Sequence, residues 1–295
     1  MKKDSMVPAF SSAAERLNEL VSQEAPLKEI AEVVNLEPGL AAKVLRLSNS
    51  AAFGGKSIQH IDEALFRIGV KEIRKLAMAI GVMDRVSHLR VKVNWNLFWM
   101  HNLLTARLTE IIANTYRPPT GREYLAGLMH DIGKLFLEHH FAQDFEAIML
   151  RAMERSCGMF AAENQLYDIT HAEVGSMLCE KWGLHQEIVR AIRFHHDPSS
   201  PFCKDPNHPE DEHLLAACIC LADALANRVH ANIQGAESHD NIQVEALPEW
   251  KNFEKQTPIS PLDFDLTMEV QKVQDTINSL THQPVEVAGP QSGKT

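Results

Sequence analysis

The chain has 295 residues, of which 45% are hydrophobic and 23% charged, an ordinary composition for a globular protein able to bury a real core. Its formal net charge of −10, with no long basic run, argues against nucleic acid or an anionic membrane as its main partner. No apolar run reaches membrane-spanning length, MKKDSMVPAF lacks a signal-peptide core, and the cysteines (Cys157, Cys179, Cys203, Cys218 and Cys220) form no CxxC pair, so a reduced, cytoplasmic chain without disulfides is expected.

Nearly every segment reads at a helical period and no alternating strand pattern occurs, which predicts an all-α fold. Short amphipathic helices are expected from Ala13 and from Leu27. Pro38 suits the first turn of a further helix, which ends near Asn49 before the Gly54-Gly55 break. Helices follow over Ile61 to Ile68 and from Gly69 to about Val86. The stretch VSHLRVKVNWN connects this N-terminal lobe to a long helix from about Asn96 to Tyr116, stopped by Pro118-Pro119.

A helix starting near Arg122 carries GLMHDIGKL, in which His130 and Asp131 stand side by side among apolar residues. A carboxylate facing an apolar core costs several kcal/mol unless something pairs with it. An amphipathic helix over about Asp144 to Arg155 comes next. Thr170 and Glu173 then form a T-x-x-E capping box, which makes His171 the first residue of its helix. HQEIVRAIRFHH ends at Asp197-Pro198 and places His195 and His196 at a helix C-terminus. The loop Pro198 to Pro209 leads into HLLAACICLADALANRV, where Asp223 sits mid-helix on a mostly apolar face. One more helix is expected after Pro261, before a frayed tail. The domain plan is an N-terminal lobe over 1–90, a helical bundle over 91–232 and an extension over 233–295.

His101, His130, Asp131, His171, His195, His196 and Asp223 thus fall in or at the ends of successive helices. Imidazole and carboxylate together suit a divalent ion, and a helical bundle builds such a site by pointing one or two side chains inward from each helix. Taken alone, His130-Asp131 fits a buried hydrogen-bonded pair as well as a ligand pair; the ordered set favours a metal site, or a decayed one. His139 and His140 read as surface residues. The terminal GPQSGKT fails as a phosphate loop, because its first glycine is one residue too close and no strand or helix frames it.

The order H…HD…H…HH…D resembles the HD superfamily of metal-dependent phosphohydrolases. With LEPGLAAKVLRLSNSAAFGG, IDEALFRIGVKEIRKL, WMHNLLTARL and THAEVGSMLCEKWGLHQEIVRAIRFHHDP, the chain is similar to HDOD (HD-related output domain) proteins of bacterial signalling. That resemblance implies an N-terminal helical lobe packed on an HD-type bundle. It also implies a metal position built from His101, His130, Asp131 and Asp223, and a second one completed by His171, His195 and His196. Asp131 and Lys134 are then the candidate catalytic residues, Lys134 as a phosphate contact; its plainer role is an i,i+3 salt bridge to Asp131.

One or two divalent ions are implied, with iron, manganese, zinc, nickel and magnesium not distinguished. In the HD-GYP branch of the HD superfamily some members use a glutamate where Leu97 stands, so a third ion is not implied, and neither is hydrolysis of cyclic di-GMP, since no G-Y-P motif follows the histidine pair. The function implied is a regulatory module with a protein partner in signalling, with no membrane or direct nucleic-acid contact. The competing readings are a phosphohydrolase acting on a nucleotide or other phosphate ester, and a structural metal site without turnover. For the enzyme, no second cluster of Arg and Lys is visible near the metal helices.

Overall fold

Wherever apolar residues recur at a helical period in the described chain, a helix forms, and among the described residues there is no strand. The structure is a computed structural model that describes residues 25–36, 38–55, 57–200, 212–235 and 264–281, together with Arg16, Leu20 and Lys251. The expected helix at Ala13, most of the Pro198 to Pro209 loop and GPQSGKT lie outside the described residues.

The helices are α1 (Leu27–Leu36), α2 (Pro38–Ser48), α3 (Ile61–Ile68), α4 (Val70–Val86), α5 (Trp95–Ala113), α6 (Arg122–Met129), α7 (Ile132–His140), α8 (Ala142–Arg155), α9 (Met159–Leu166), α10 (His171–Lys181), α11 (Gln186–Arg193), α12 (Glu212–Gly235) and α13 (Leu266–Thr281). They divide into two compact units, with boundaries inside α4 after Ile80 and inside α13 after Val273.

The smaller unit closes over Ile30, Val34, Val44, Leu47, Leu65 and Ile73. Pro38 opens α2 as expected, and its end is followed by a 3-10 turn over Ala51–Phe53 and by Gly54 at φ 97°. Asn49 staples this turn to the next segment, accepting from the Ile58 amide at 2.6 Å and donating to the Ile58 carbonyl at 2.9 Å. The end of α13 joins the same unit, where the Arg46 guanidinium donates to the Ser279 carbonyl at 2.7 Å and Asp275 accepts from the Ala52 amide at 2.9 Å.

In the larger unit, α5 runs beside α6 and α12, while α10 packs on α7 and α11. Asn94 caps α5 by accepting from the amides of Asn96 and Leu97 at 3.1 and 3.2 Å. Glu138 accepts from the amides of Lys92 and Val93, at 2.8 and 3.3 Å, and so holds the connector that enters α5. Buried Arg107 pairs with Glu269 of α13. Around the start of α6, Glu187 binds Arg117 and, at 3.0 Å, Arg122, while Glu123 accepts from the amides of Thr120 and Gly121.

Two glycines set the spacing of these helices. A Cβ at Gly127 would stand 2.7 Å from Thr109 Oγ1 and 2.8 Å from Ala106 Cα, so α6 lies against α5 backbone to backbone. A Cβ at Gly133 would stand 2.0 Å from the His171 carbonyl oxygen and 2.8 Å from the Gly175 amide, which puts α7 on α10 in the same way. Backbone cannot swing aside as a side chain can, and even ordinary overpacking costs about 1–3 kcal/mol. Gly133→Ala is therefore expected to lower unfolding stability in urea by at least that much, and by more than Gly39→Ala, where nothing stands within 4 Å. Equal midpoints for the two variants would refute the close contact.

Candidate metal centre

All the predicted ligands lie in the larger unit, and the fold brings them together. His101 comes from the middle of α5 and His171 from the first position of α10, while Asp223 comes from α12. The placement of the others differs from the sequence expectation. His130 and Asp131 were expected within one helix, but α6 ends at Met129 and α7 begins at Ile132, so the pair occupies a break. Asp131 holds the N-cap position of α7 at φ −100°, ψ 5°, yet its side chain caps nothing. It turns instead toward the imidazoles. His195 and His196 lie in the turn just after α11, which ends at Arg193.

The rings are held from behind. His130 Nδ1 donates to the Gly127 carbonyl at 2.8 Å, and His195 Nδ1 donates to the Ile192 carbonyl at 2.7 Å. A carbonyl can only accept, so in both rings Nδ1 carries a proton and Nε2 is the nitrogen left to face inward. Glu163 does the same for His171, taking its Nδ1 proton at 2.7 Å. This is the pattern of metal-ligating histidines, whose outer nitrogen is oriented by a carboxylate or backbone carbonyl.

The inward atoms gather in two groups, His101-His130-Asp131 and His171-His195-His196, each with its ligand atoms within 4.8 Å of one another. In the first, Nε2 of His101 lies 3.2 Å from Nε2 of His130 and 3.0 Å from Asp223 Oδ1, and His130 lies 3.6 Å from the same oxygen. In the second, Nε2 of His196 lies 3.0 Å from Nε2 of His171. Asp131 faces both: Oδ2 is 3.4 Å from His130 and 3.6 Å from His101, while Oδ1 is 3.3 Å from His171.

These separations fit a common ion. Donors about 2.1 Å from one ion lie roughly 3.0 Å apart at a right angle and roughly 3.4 Å apart at the tetrahedral angle. The fit is supported by atoms left over: buried His195 Nε2 and Asp131 Oδ1 have no hydrogen-bond partner. A buried acceptor without a partner is costly, and a cation beside it would offset that cost.

Protons and Lys134 supply positive charge at the protein's own expense. Lys134 Nζ lies 2.5 Å from Asp131 Oδ2, the i,i+3 pair foreseen from the sequence. Burial opposes charge on His130, but the carboxylates of Asp131 and Asp223 push it up to about 10. Burial also resists ionising Asp131, but His130 and Lys134 beside it hold it well below the usual carboxylate range. Asp223 is likewise held low, against burial, by His101 and His130. In the second group burial holds His195 well below its ordinary value, aided by His196, and together with His171 takes His196 down to about 3, whereas for His171 the hydrogen bonds to Asp131 and Glu163 outweigh burial and raise it.

Other features were missed in the sequence. Helix α9 was not anticipated, and its fully buried Glu163 is the carboxylate behind His171. In MFAAENQL it stands beside Asn164 and Gln165, and nothing in the sequence marks it for burial. The expectation of no further Arg cluster also fails: Arg190 and Arg193 line a cavity of about 580 Å³ with Phe160, whose ring stacks on His196 at 4.4 Å. Asp168, Glu173 and Asp197 share that wall and offset the charge. His139, whose Nδ1 accepts from the Arg90 amide at 2.9 Å, and His140 stay outside the centre.

The HDOD domain matches residues 7–198, well over half of the chain. The chain belongs to the HDOD family. It is 24% identical over 201 residues to an uncharacterized protein of Treponema pallidum, covering 67% of this chain and 37% of that one, so the chain spans little more than a third of that relative. Among solved structures it superposes on an HDOD protein of unknown function from Geobacter sulfurreducens with TM-score 0.65, at 22% identity over 93% of this chain and 91% of that one. A Marinobacter aquaeolei protein, provisionally described as acting in signal transduction, gives TM-score 0.66 at 20% identity over 95% and 61% of the two chains. At these identities the likeness establishes the helical HDOD fold. No described helix is long and apolar enough to cross a membrane.

The charges in this HDOD centre dictate how the metal-free chain responds to pH. His130 titrates near 6.5 when unfolded and about 10 when folded, so its contribution is complete below pH 6.5 and is lost as pH rises toward 10. His196 acts oppositely: the unfolded chain takes up its proton near 6.5, the folded chain only near 3, so stability falls as pH drops below 6.5. The thermal midpoint of chelator-treated protein is expected to peak near neutrality and fall on both sides. A midpoint that climbs steadily from pH 6 to 10 would contradict these charge states.

Proposed function

We propose that this chain is a regulatory HDOD module whose HD-type half keeps a divalent-metal centre and whose output is contact with a protein partner in signalling. The observation that carries the metal assignment is the set of rings fixed through Nδ1 so that their Nε2 atoms turn inward, in two groups beside Asp131. Those ligands come from segments far apart in sequence, and a common cation would satisfy all of them at once. The description of the Marinobacter neighbour as a signalling protein agrees with the regulatory half of the reading. Within the smaller unit, Phe66 on α3 is 82% exposed and offers an apolar contact for a partner.

A second reading, a phosphohydrolase, draws on Lys134 beside Asp131 and on the cavity that Arg190 and Arg193 line next to His196. A divalent ion held by these ligands would supply Lewis-acid polarisation of a phosphate ester. Lys134 would steady a phosphate oxygen, and Asp131 would hold the Lys134 ammonium in place until then. The Arg193 charge is already engaged by Glu173 at 3.4 Å, which weakens this reading for a polyanionic substrate.

The two readings part on measurement. Protein purified without chelator is expected to carry a divalent metal by elemental analysis, and Asp131→Ala is expected to lose it. Neither protein should turn over cyclic dinucleotides, mononucleotides or a generic phosphodiester when manganese or iron is supplied. Phe66→Ser should weaken partner capture and leave metal content unchanged. Metal-dependent turnover abolished by Asp131→Ala would make the chain an enzyme, and metal-free protein that refuses added ions would end the metal assignment.

A further inference from the structure

We infer that the groove between α8 and the connector entering α5 is a docking site for an amphipathic helix of a partner protein, with an apolar stripe on one face and acidic residues along the flank that meets Arg90 and Lys92. The inference extends the reading of this chain as a protein-binding module, and its residues are separate from Phe66 and from the metal centre. The groove holds about 340 Å³. Ala142, Phe145 and Met149 line it from α8, and Arg90, Lys92 and Val93 line it from the connector.

Phe145, Met149 and Met153 recur four residues apart, so they follow one side of α8. The stripe grows more exposed as it leaves the groove. Phe145 is buried, Met149 is 43% exposed and Met153 74%, with Leu150 beside them at 55%. A lone exposed apolar side chain is ordinary on a protein surface, but three clustered at the end of a concave apolar wall form the kind of patch that marks a protein contact. Methionine suits such a surface, since its unbranched side chain moulds itself to a partner. Ala142 to Met153 covers about 16 Å of helix, or three turns.

The connector decides what kind of segment fits. It is not helical, yet strand addition is disfavoured because its donors are committed. The Arg90 amide donates to His139 Nδ1 at 2.9 Å, and those of Lys92 and Val93 donate to Glu138 at 2.8 and 3.3 Å. A helix satisfies its own main chain and needs only side-chain contacts. Charge then sets its orientation. In a chain of net charge −10, exposed Arg90 and Lys92 place two cations on one side of this groove. Glu138 is buried and turned into the connector amides, and Glu146 stands on α8. An occupant is therefore drawn in with its acids toward the connector and away from Glu146.

The test is fluorescence anisotropy of the full chain with a labelled helical peptide of about four turns, carrying leucines at i,i+4 spacing and glutamates along one flank. Saturable binding tighter than about 1 mM is expected, weakening as salt is added. Met153→Ser is expected to weaken it about tenfold through lost apolar burial. Arg90→Glu combined with Lys92→Glu is expected to weaken it by at least about tenfold, and to bind a peptide with lysines in place of the glutamates better than wild type does, a rescue that damage to the fold would not produce. Phe66→Ser should bind the acidic peptide as wild type does, which separates this result from the contact assigned to Phe66; a loss there would put the peptide elsewhere and overturn the inference. Absence of saturable binding would overturn it, as would equal affinity of wild type for the acidic and the basic peptide. A wild-type dimer that Met153→Ser dissociates would also overturn it, by giving the stripe to a second copy of this chain.

Discussion

The Gly133 backbone lies so close to the His171 carbonyl that a single added carbon would stand 2.0 Å from it, and the geometry of the centre follows from that contact. Asp131 sits two residues before Gly133, and His171 is itself the residue touched, so helix packing sets the backbone spacing from which carboxylate and imidazole meet. Gly127 performs the same service on the other side. It seats α6 against Ala106 of α5, the helix that carries His101. In GLMHDIGK the two glycines therefore flank the ligands they align, each bringing one neighbouring helix to the pair. The helix break between them lets His130 and Asp131 point into one space, which successive positions of an unbroken helix, about 100° apart, do less well.

Much of this was legible in the sequence because the ligands recur in a fixed order and stand among apolar residues where a charge needs a partner. Asp223 is the best example. Mid-helix, with Ile219 and Ala226 on its face, it had to find a cation or a histidine, and it lies 3.0 Å from His101. The capping box at Thr170 likewise fixed His171 as the first helical residue. What escaped were features that depend on how one element meets another. Glu163 looks like any polar residue of a short helix until α9 folds back on the start of α10. Arg190 and Arg193 are helix residues until Phe160 closes a wall opposite them. The break after Met129 has no breaker residue to announce it, since glycine follows four residues later and no proline is near.

The electrostatics explain how such a centre survives folding. Two carboxylates, Asp131 and Asp223, are accompanied by a charged His130 and by the Lys134 ammonium, while burial keeps His195 and His196 neutral. The protein thus contains its own provisional cations. They balance the buried carboxylates without an ion, and an ion bound there would have to displace or move them. This separates the stability of the bundle from the loading of its centre more cleanly than in small domains whose fold is created by the metal.

The exposure of the ligands is graded, and the gradient carries a historical consequence. Asp223 and His101 keep 16% and 11% of their side-chain surface in contact with solvent, whereas His130 keeps none. Replacing a ligand at the rim leaves its former partners some access to water; replacing one at the bottom strands buried donors and acceptors at full cost. A lineage that stopped using this centre would shed its ligands from the rim inward, with Asp223 and His101 drifting first. The HD dipeptide would persist as a fossil of lost chemistry, kept by the packing of the helices around it.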